Sequence, residues 1–147
     1  MTQVKHRVAV VGCGYMGQRY ARAYTTYPDT ELVALVEENQ QRGRAVADHF
    51  GVSKMYPDLS SLLNDMVPDI VAVATPTMFF KKAVLDCAYA GVKGISTEKP
   101  IAAILSDADE MVDVCRDRGV VLSGGYLQRA MNEVQEVATR IHCGEFG

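Results

Sequence analysis

A doubly wound α/β fold, a parallel sheet with helices on both faces, is predicted by three observations. Apolar strand-like runs alternate with helical patterns some six times along the 147 residues. The first run, Arg7 to Val11, breaks into Gly12, Gly14 and Gly17 before a helical pattern begins. The second ends at Val36 and is followed at once by Glu37, twenty positions beyond Gly17. Strand, glycine turn, helix, strand and acid in this order make a dinucleotide-binding fingerprint. The expected strand order is 3-2-1-4-5-6, with right-handed crossovers and the ligand crossing the strands' carboxyl ends between strands one and four. One domain is expected over residues 1-147.

The elements follow in order. A helix over Tyr15 to Tyr27 succeeds the glycine turn, and Pro28 and Asp29 supply turn chemistry before the strand Glu31 to Val36. Asn39 is placed to cap a helix that runs to Phe50 and stops at Gly51. After an extended piece at Lys54 to Tyr56, Pro57 and Asp58 start a short helix with Leu59, Leu62, Leu63 and Met66 at helical spacing. Pro68 and Asp69 close it. Ile70 to Ala74 is a continuous run of β-branched and small apolar residues, which predicts a buried strand. Thr77 opens a helix ending near Ala90, stopped by Gly91, and Val92 to Ser96 is the next strand. Ser106 and Asp109 have the spacing of a capping box, and the helix they start is expected to reach Arg118 before Gly119 ends it. Val120 to Ser123 is a further strand. Gln128 to His142 then places Ala130, Met131, Val134, Val137, Ala138 and Ile141 on one face of an amphipathic helix.

Composition narrows the partners. With 48% hydrophobic and 22% charged residues, the chain is ordinary for a globular domain, able to bury roughly 70% of its unfolded surface. A net charge of −3, with no basic cluster among aromatics, predicts no nucleic-acid partner and no attraction to a membrane surface. No apolar run is long enough to span a bilayer, and MTQVKHR lacks the character of a signal peptide, so a cytoplasmic location is expected. The four cysteines, Cys13, Cys87, Cys115 and Cys143, form no C-x-x-C pair, and neither a metal site nor a disulfide is expected. Cys13, inside the glycine turn, reads as a small side chain that fits there, with an oxidisable thiol as the alternative.

The chemistry concentrates at the strand exits. Gly12 supplies the tight turn, Gly14 lets the backbone approach phosphates, and Gly17 lets the helix pack closely on the strand. The helix's free amides and positive end then face the anion. Glu37 is expected to accept hydrogen bonds from the adenosine ribose hydroxyls, and its charge opposes a 2′-phosphate. NAD is thereby favoured, with NADP still possible because Arg42 and Arg44 lie a turn or so into the next helix. Glu38 reads as a solvated acid. Polar groups follow the fourth strand at Thr75 and Pro76 and the fifth at Thr97, Glu98, Lys99 and Pro100. Taken singly these have plainer readings: Thr75 as a helix cap, Glu98 and Lys99 as an exposed pair worth little.

Together they resemble the N-terminal half of the Gfo/Idh/MocA family, the relatives of glucose-fructose oxidoreductase and inositol dehydrogenase. The resemblance rests on GCGYMG at Gly12 to Gly17, Glu37, DIVAVATP at Asp69 to Pro76, and the EKP triplet at Glu98 to Pro100. It also includes GEFG at Gly144 to Gly147, similar to the G-E-I-G with which that family passes into its second domain. It implies an NAD(P)-binding Rossmann domain with Gly12, Gly14, Tyr15, Met16 and Gly17 at the pyrophosphate and Glu37 at the adenosine ribose. Thr75 and Pro76 would neighbour the nicotinamide half, with Glu98 and Lys99 beside the nicotinamide ribose and the substrate hydroxyl. Lys99 is the implied catalytic residue, positioning and protonating the reacting oxygen, and desolvation beside the nicotinamide is expected to ready it. Arg129 matches a family arginine that faces substrate or joins domains.

Departures are visible as well. Thr77 and Phe80 stand where the family commonly has Asn and His, and YLQRAMNE around Arg129 lacks the usual aromatic and proline. The implied activity is hydride transfer between a nicotinamide cofactor and a sugar or cyclitol hydroxyl carbon. A non-catalytic dinucleotide-binding sensor or scaffold is the alternative; a methyltransferase using S-adenosylmethionine is opposed by the glycine spacing and EKP. Family enzymes continue into a C-terminal α/β domain that supplies the usual general base, a domain expected to be absent here. The 147 residues are therefore expected to bind nucleotide and to catalyse poorly. The stripe on the last helix, left uncovered, makes a homo-oligomer a further expectation.

Overall fold

Six parallel strands form one sheet in the order β3-β2-β1-β4-β5-β6, the order expected. The computed structural model describes residues 5–146, so Met1 to Val4 and the closing Gly147 of GEFG lie outside the described residues. In chain order the elements are β1 (His6–Val11), α1 (Tyr15–Thr26), β2 (Thr30–Val36), α2 (Gln40–Phe50), β3 (Lys54–Tyr56) and α3 (Leu59–Asp65). There follow β4 (Ile70–Val73), α4 (Phe80–Ala90), β5 (Gly94–Thr97), α5 (Leu105–Asp117), β6 (Val121–Gly124) and α6 (Asn132–His142).

Alternation along each strand divides the core into two layers. Ala9, Val11, Ala34, Val36, Val71, Val73 and Ile95 face α3, α4 and α5, where Leu62, Phe80, Val84 and Met111 fill the space between sheet and helices. Val10, Leu35 and Ala72 face the other way, against Cys13, Val46 and Ala47, with Tyr20 and Tyr24 of α1 at the margin. The strands at the centre are covered on both sides, hence their unbroken apolar sequence. On the α1 side the cover stops at β4. Val121 is 70% exposed and Ser123 is also exposed, while Gly94 and Ser96 of β5 are half-buried.

Helix ends follow local chemistry where a cap exists. Asn39 Oδ1 accepts from Arg42 N at the start of α2, and Asp58 Oδ1 accepts from Ser61 N at the start of α3. The capping box at Ser106 and Asp109 does not form. α5 begins at Leu105 with Ile104 at its cap and no side-chain cap bond, so Ser106 lies within the helix. Burial of Ala108, Met111 and Cys115 fixes its position instead, because packing of an apolar face outweighs a single cap. The last helix is also shorter than expected. Leu127–Ala130 is a separate 3-10 turn, Met131 is extended, and α6 starts at Asn132. Its apolar stripe is present and uncovered: no residue of α6 is buried, and it rests chiefly on the preceding turn.

Candidate dinucleotide-binding site

The sheet register sets the site. Val11 is level with Val36 of β2 and Val73 of β4, Val36 with Tyr56, Val73 with Thr97, and Thr97 with Gly124. The residues that leave these strands therefore stand in a row along one edge: Pro57, Glu37, Gly12, Ala74, Glu98 and Gly125. Backbone bonds continue the ladder one step further, from Gly12 N to Val36 O, Glu37 N to Tyr56 O and Ala74 N to Val11 O. Glu37 and Glu98 are separated by three strand spacings of about 4.8 Å, roughly 14 Å in all. That span suits a dinucleotide lying across the sheet.

A cleft of about 350 Å³ opens along this edge, lined among others by Gly12, Gly14, Glu37, Arg42, Thr75 and Pro76. The three glycines have separable roles. Gly12 has a φ of +90°, and a Cβ there would lie 2.9 Å from Ala74 O. At Gly17 a Cβ would fall 1.7 Å from Gly12 O, so α1 sits on the turn as closely as backbone permits. A Cβ at Gly14 would meet nothing of the protein within 4 Å and would project into open space beside the cleft. Gly14 caps α1 without a side-chain bond, in contrast with Asn39 and Asp58, so the first amides of α1, at Tyr15, Met16 and Gly17, have no side-chain acceptor. Such an end attracts an anion.

Glu37 is only 4% exposed and is held from three sides. Oε2 accepts from Cys13 N at 2.8 Å, and Oε1 accepts from Asn39 N at 2.9 Å and Arg42 Nη2 at 2.8 Å. Burial raises the carboxyl's pKa, but the bonds from Arg42, Asn39 N and Cys13 N outweigh it and hold it below the ordinary value. The acid is thus a fixed anion at neutral pH. Arg42, which the sequence suggested as a phosphate contact, instead pairs with Glu37 while half its side chain remains exposed. The Cys13 thiol is buried, and burial together with the Glu37 charge pushes it up to about 11. Enclosure and a raised pKa both favour the reading of Cys13 as a small side chain that fits the turn, since thiolate is the reactive form.

The other end of the row differs from expectation. Thr75 caps nothing: Pro76 precedes the 3-10 turn Thr77–Phe79, and Thr75 Oγ1 is buried with no partner. Glu98 and Lys99 do not pair. Tyr20 Oη donates to Glu98 Oε1 across 78 residues of sequence, whereas Lys99 is exposed and unpaired among the described residues. The desolvation expected of Lys99 is therefore not supplied by these residues. A cis peptide joins Lys99 to Pro100. The Tyr20 contact was missed because it joins residues 78 apart, whereas Arg42 lies only five residues from Glu37 and meets it across the turn from β2 into α2. The nearest local sign for Tyr20 is that it shares a face of α1 with Tyr24. Arg129 lies exposed in the 3-10 turn before α6, with only its backbone engaged among the described residues.

The residues present suit a dinucleotide: an uncapped helix end, a glycine opening onto empty space, a fixed carboxylate, and an unpartnered hydroxyl at Thr75. Residues 6–126 match the family model described as oxidoreductase family, NAD-binding Rossmann fold. The chain belongs to the Gfo/Idh/MocA family. A D-apiose dehydrogenase from Paraburkholderia graminis is 31% identical over 99% of this chain and 39% of its own length. The myo-inositol 2-dehydrogenase of Thermotoga maritima is 28% identical over 96% of this chain and 42% of its own. Among solved structures, the WlbA dehydrogenase of Bordetella pertussis, in complex with NADH and UDP-GlcNAcA, superposes with a TM-score of 0.90 at 28% identity. That likeness covers 97% of this chain and 43% of the other. The chain spans about two fifths of the length of these curated relatives. It is an NAD-binding Rossmann domain of this family, and no described helix is long and apolar enough to cross a membrane.

Proposed function

We propose that this chain holds NAD for an oxidoreductase acting on the hydroxyl carbon of a sugar or cyclitol. The observation that carries the proposal is the single cleft shared by Gly12, Gly14, Glu37, Thr75 and Pro76 at the exits of β1, β2 and β4. In it the amides of Gly14, Tyr15, Met16 and Gly17 face the pyrophosphate, and Glu37 accepts from the adenosine ribose. Thr75 and Pro76 border the nicotinamide half, followed by Glu98 and Lys99 at the β5 exit. NAD supplies the hydride acceptor when bound. Lys99 bonds the substrate's reacting oxygen and manages its proton, a role that needs a drier setting than the exposed lip these residues provide. The sugar or cyclitol class follows relatives named as dehydrogenases of D-apiose and myo-inositol.

The fixed charge of Glu37 disfavours a 2′-phosphate, so NAD binds more tightly than NADP. A cytoplasmic location and self-association through the apolar face of α6 complete the proposal. Calorimetric titration with NAD and NADP tests the binding, with a larger affinity for NAD expected. Well-folded protein that takes up neither coenzyme would refute it. Reduction of NAD by a panel of sugars and cyclitols, using a full-length protein that contains this sequence, tests the chemistry.

A further inference from the structure

We propose that Tyr20 is a positioning residue for the nicotinamide half of the cofactor and acts through Glu98. The proposal rests on the function inferred above, in which NAD runs along the sheet edge from Glu37 toward Glu98. Tyr20 lies in the second turn of α1, the helix that begins at the glycine turn, and its phenol donates to Glu98 Oε1. The Ser96 side chain of β5 adjoins the same phenol. From the far side the backbone closes in: a Cβ at Gly125 would lie 3.1 Å from Glu98 Cα and 3.2 Å from its Cδ. Glu98 is held between the phenol and the exit of β6, and no other hydrogen bond to it is found among the described residues.

This arrangement has a use only if Glu98 must point one way. A glutamate on a loop samples several rotamers, and a ligand hydroxyl that needs one of them bears the cost of selecting it. With Oε1 taken by Tyr20, that selection is made before the ligand arrives and Oε2 is left to accept from a ribose hydroxyl. Burial, with the Glu98 bond and charge, pushes the Tyr20 phenol up, so it remains a donor wherever the protein is folded. The phenol also ties the phosphate turn to the Glu98–Lys99 loop, so the two contacts move as one unit.

The effect must be confined to ligands that reach Glu98. Titration of the 147-residue chain with NAD and with ADP, which lacks the nicotinamide riboside, separates positioning from simple stapling. Tyr20→Phe should lower NAD affinity about twofold to tenfold, the range for one released side chain, while ADP affinity stays unchanged. The unchanged ADP affinity also reports that the variant is folded. Adding Tyr20→Phe to Glu98→Ala should cost nothing further for NAD, because the phenol acts through the carboxylate. Equal losses for NAD and ADP, additive losses in the double variant, or full NAD affinity in Tyr20→Phe would each overturn the proposal. Failure of the unsubstituted chain to bind NAD would instead overturn the function on which it rests.

Discussion

The two ends of the cleft are built differently. At the β2 end, Glu37 is buried, bonded on both oxygens and backed by a cysteine whose thiol is shut away. At the β5 end, Lys99 is exposed and unpaired among the described residues, Glu98 has one side-chain partner, and β6 and α6 beyond them present Val121 and Ile141 to solvent. Recognition of a nucleotide needs preset donors and acceptors, which the first end has. Hydride chemistry needs restraint and exclusion of water, which the second end lacks. In the proposed function, binding therefore falls to the β2 end, and the exposed β5 end does not by itself provide a dry, restrained setting for chemistry.

Substitutions can break this contrast, and the largest effect belongs to the turn itself. Gly17→Ala drives a methyl to 1.7 Å from Gly12 O, so it should destabilise the fold by more than the ~1–3 kcal/mol usual for overpacking, read as a collapse in thermal midpoint. Gly14→Val, only three residues away, places its Cβ within 4 Å of no protein atom; it should keep its melting temperature and lose nearly all NAD binding. A Gly14 variant that titrates normally would remove this turn from the site. Glu37→Ala comes next. It strips the acceptor from Cys13 N and Asn39 N, costing about 1–3 kcal/mol of stability, and should weaken NAD about tenfold while narrowing the preference over NADP.

Acidification acts on the same acid more gently. The folded pKa values of Glu37 and Asp69 lie below their ordinary values, so the stability they contribute is complete above those ordinary values. It is lost as pH falls through the depressed folded values. Thermal midpoints measured down an acid series should fall there, and Glu37→Gln should flatten part of the slope. The smallest effect is expected at the open end: Lys99→Met, touching an exposed and unpaired side chain, should leave stability within about 0.5 kcal/mol by denaturant titration. A marked loss would mean that the β5 end is more tightly built than its exposure indicates.

Periodicity and turn residues carried the six strands because those signals are local, and their order followed from the fold rule that the glycine turn and the acid invoke. Most of what escaped was tertiary. Nothing in the spacing of Ser106 and Asp109 reveals that Met111 and Cys115 settle where α5 begins. Arg42 looked free to meet a phosphate until the fold placed it on Glu37, and Glu98 looked like the partner of Lys99 until α1 brought Tyr20 to it. Thr75 had the look of a cap, yet its hydroxyl is buried and unpartnered at the cleft. Charged and polar residues announce a site by position, whereas their partners are chosen by packing.

The distribution of sulfur has a practical outcome. Cys13, Cys87 and Cys115 are enclosed, and Cys143, just after α6, is the one cysteine of the four that solvent reaches. A maleimide dye added to native protein will therefore attach at one place, away from the phosphate turn. The chain carries a ready-made labelling handle beside its uncovered helix, where a fluorophore can report the arrival of a neighbour without engineering any cysteine out.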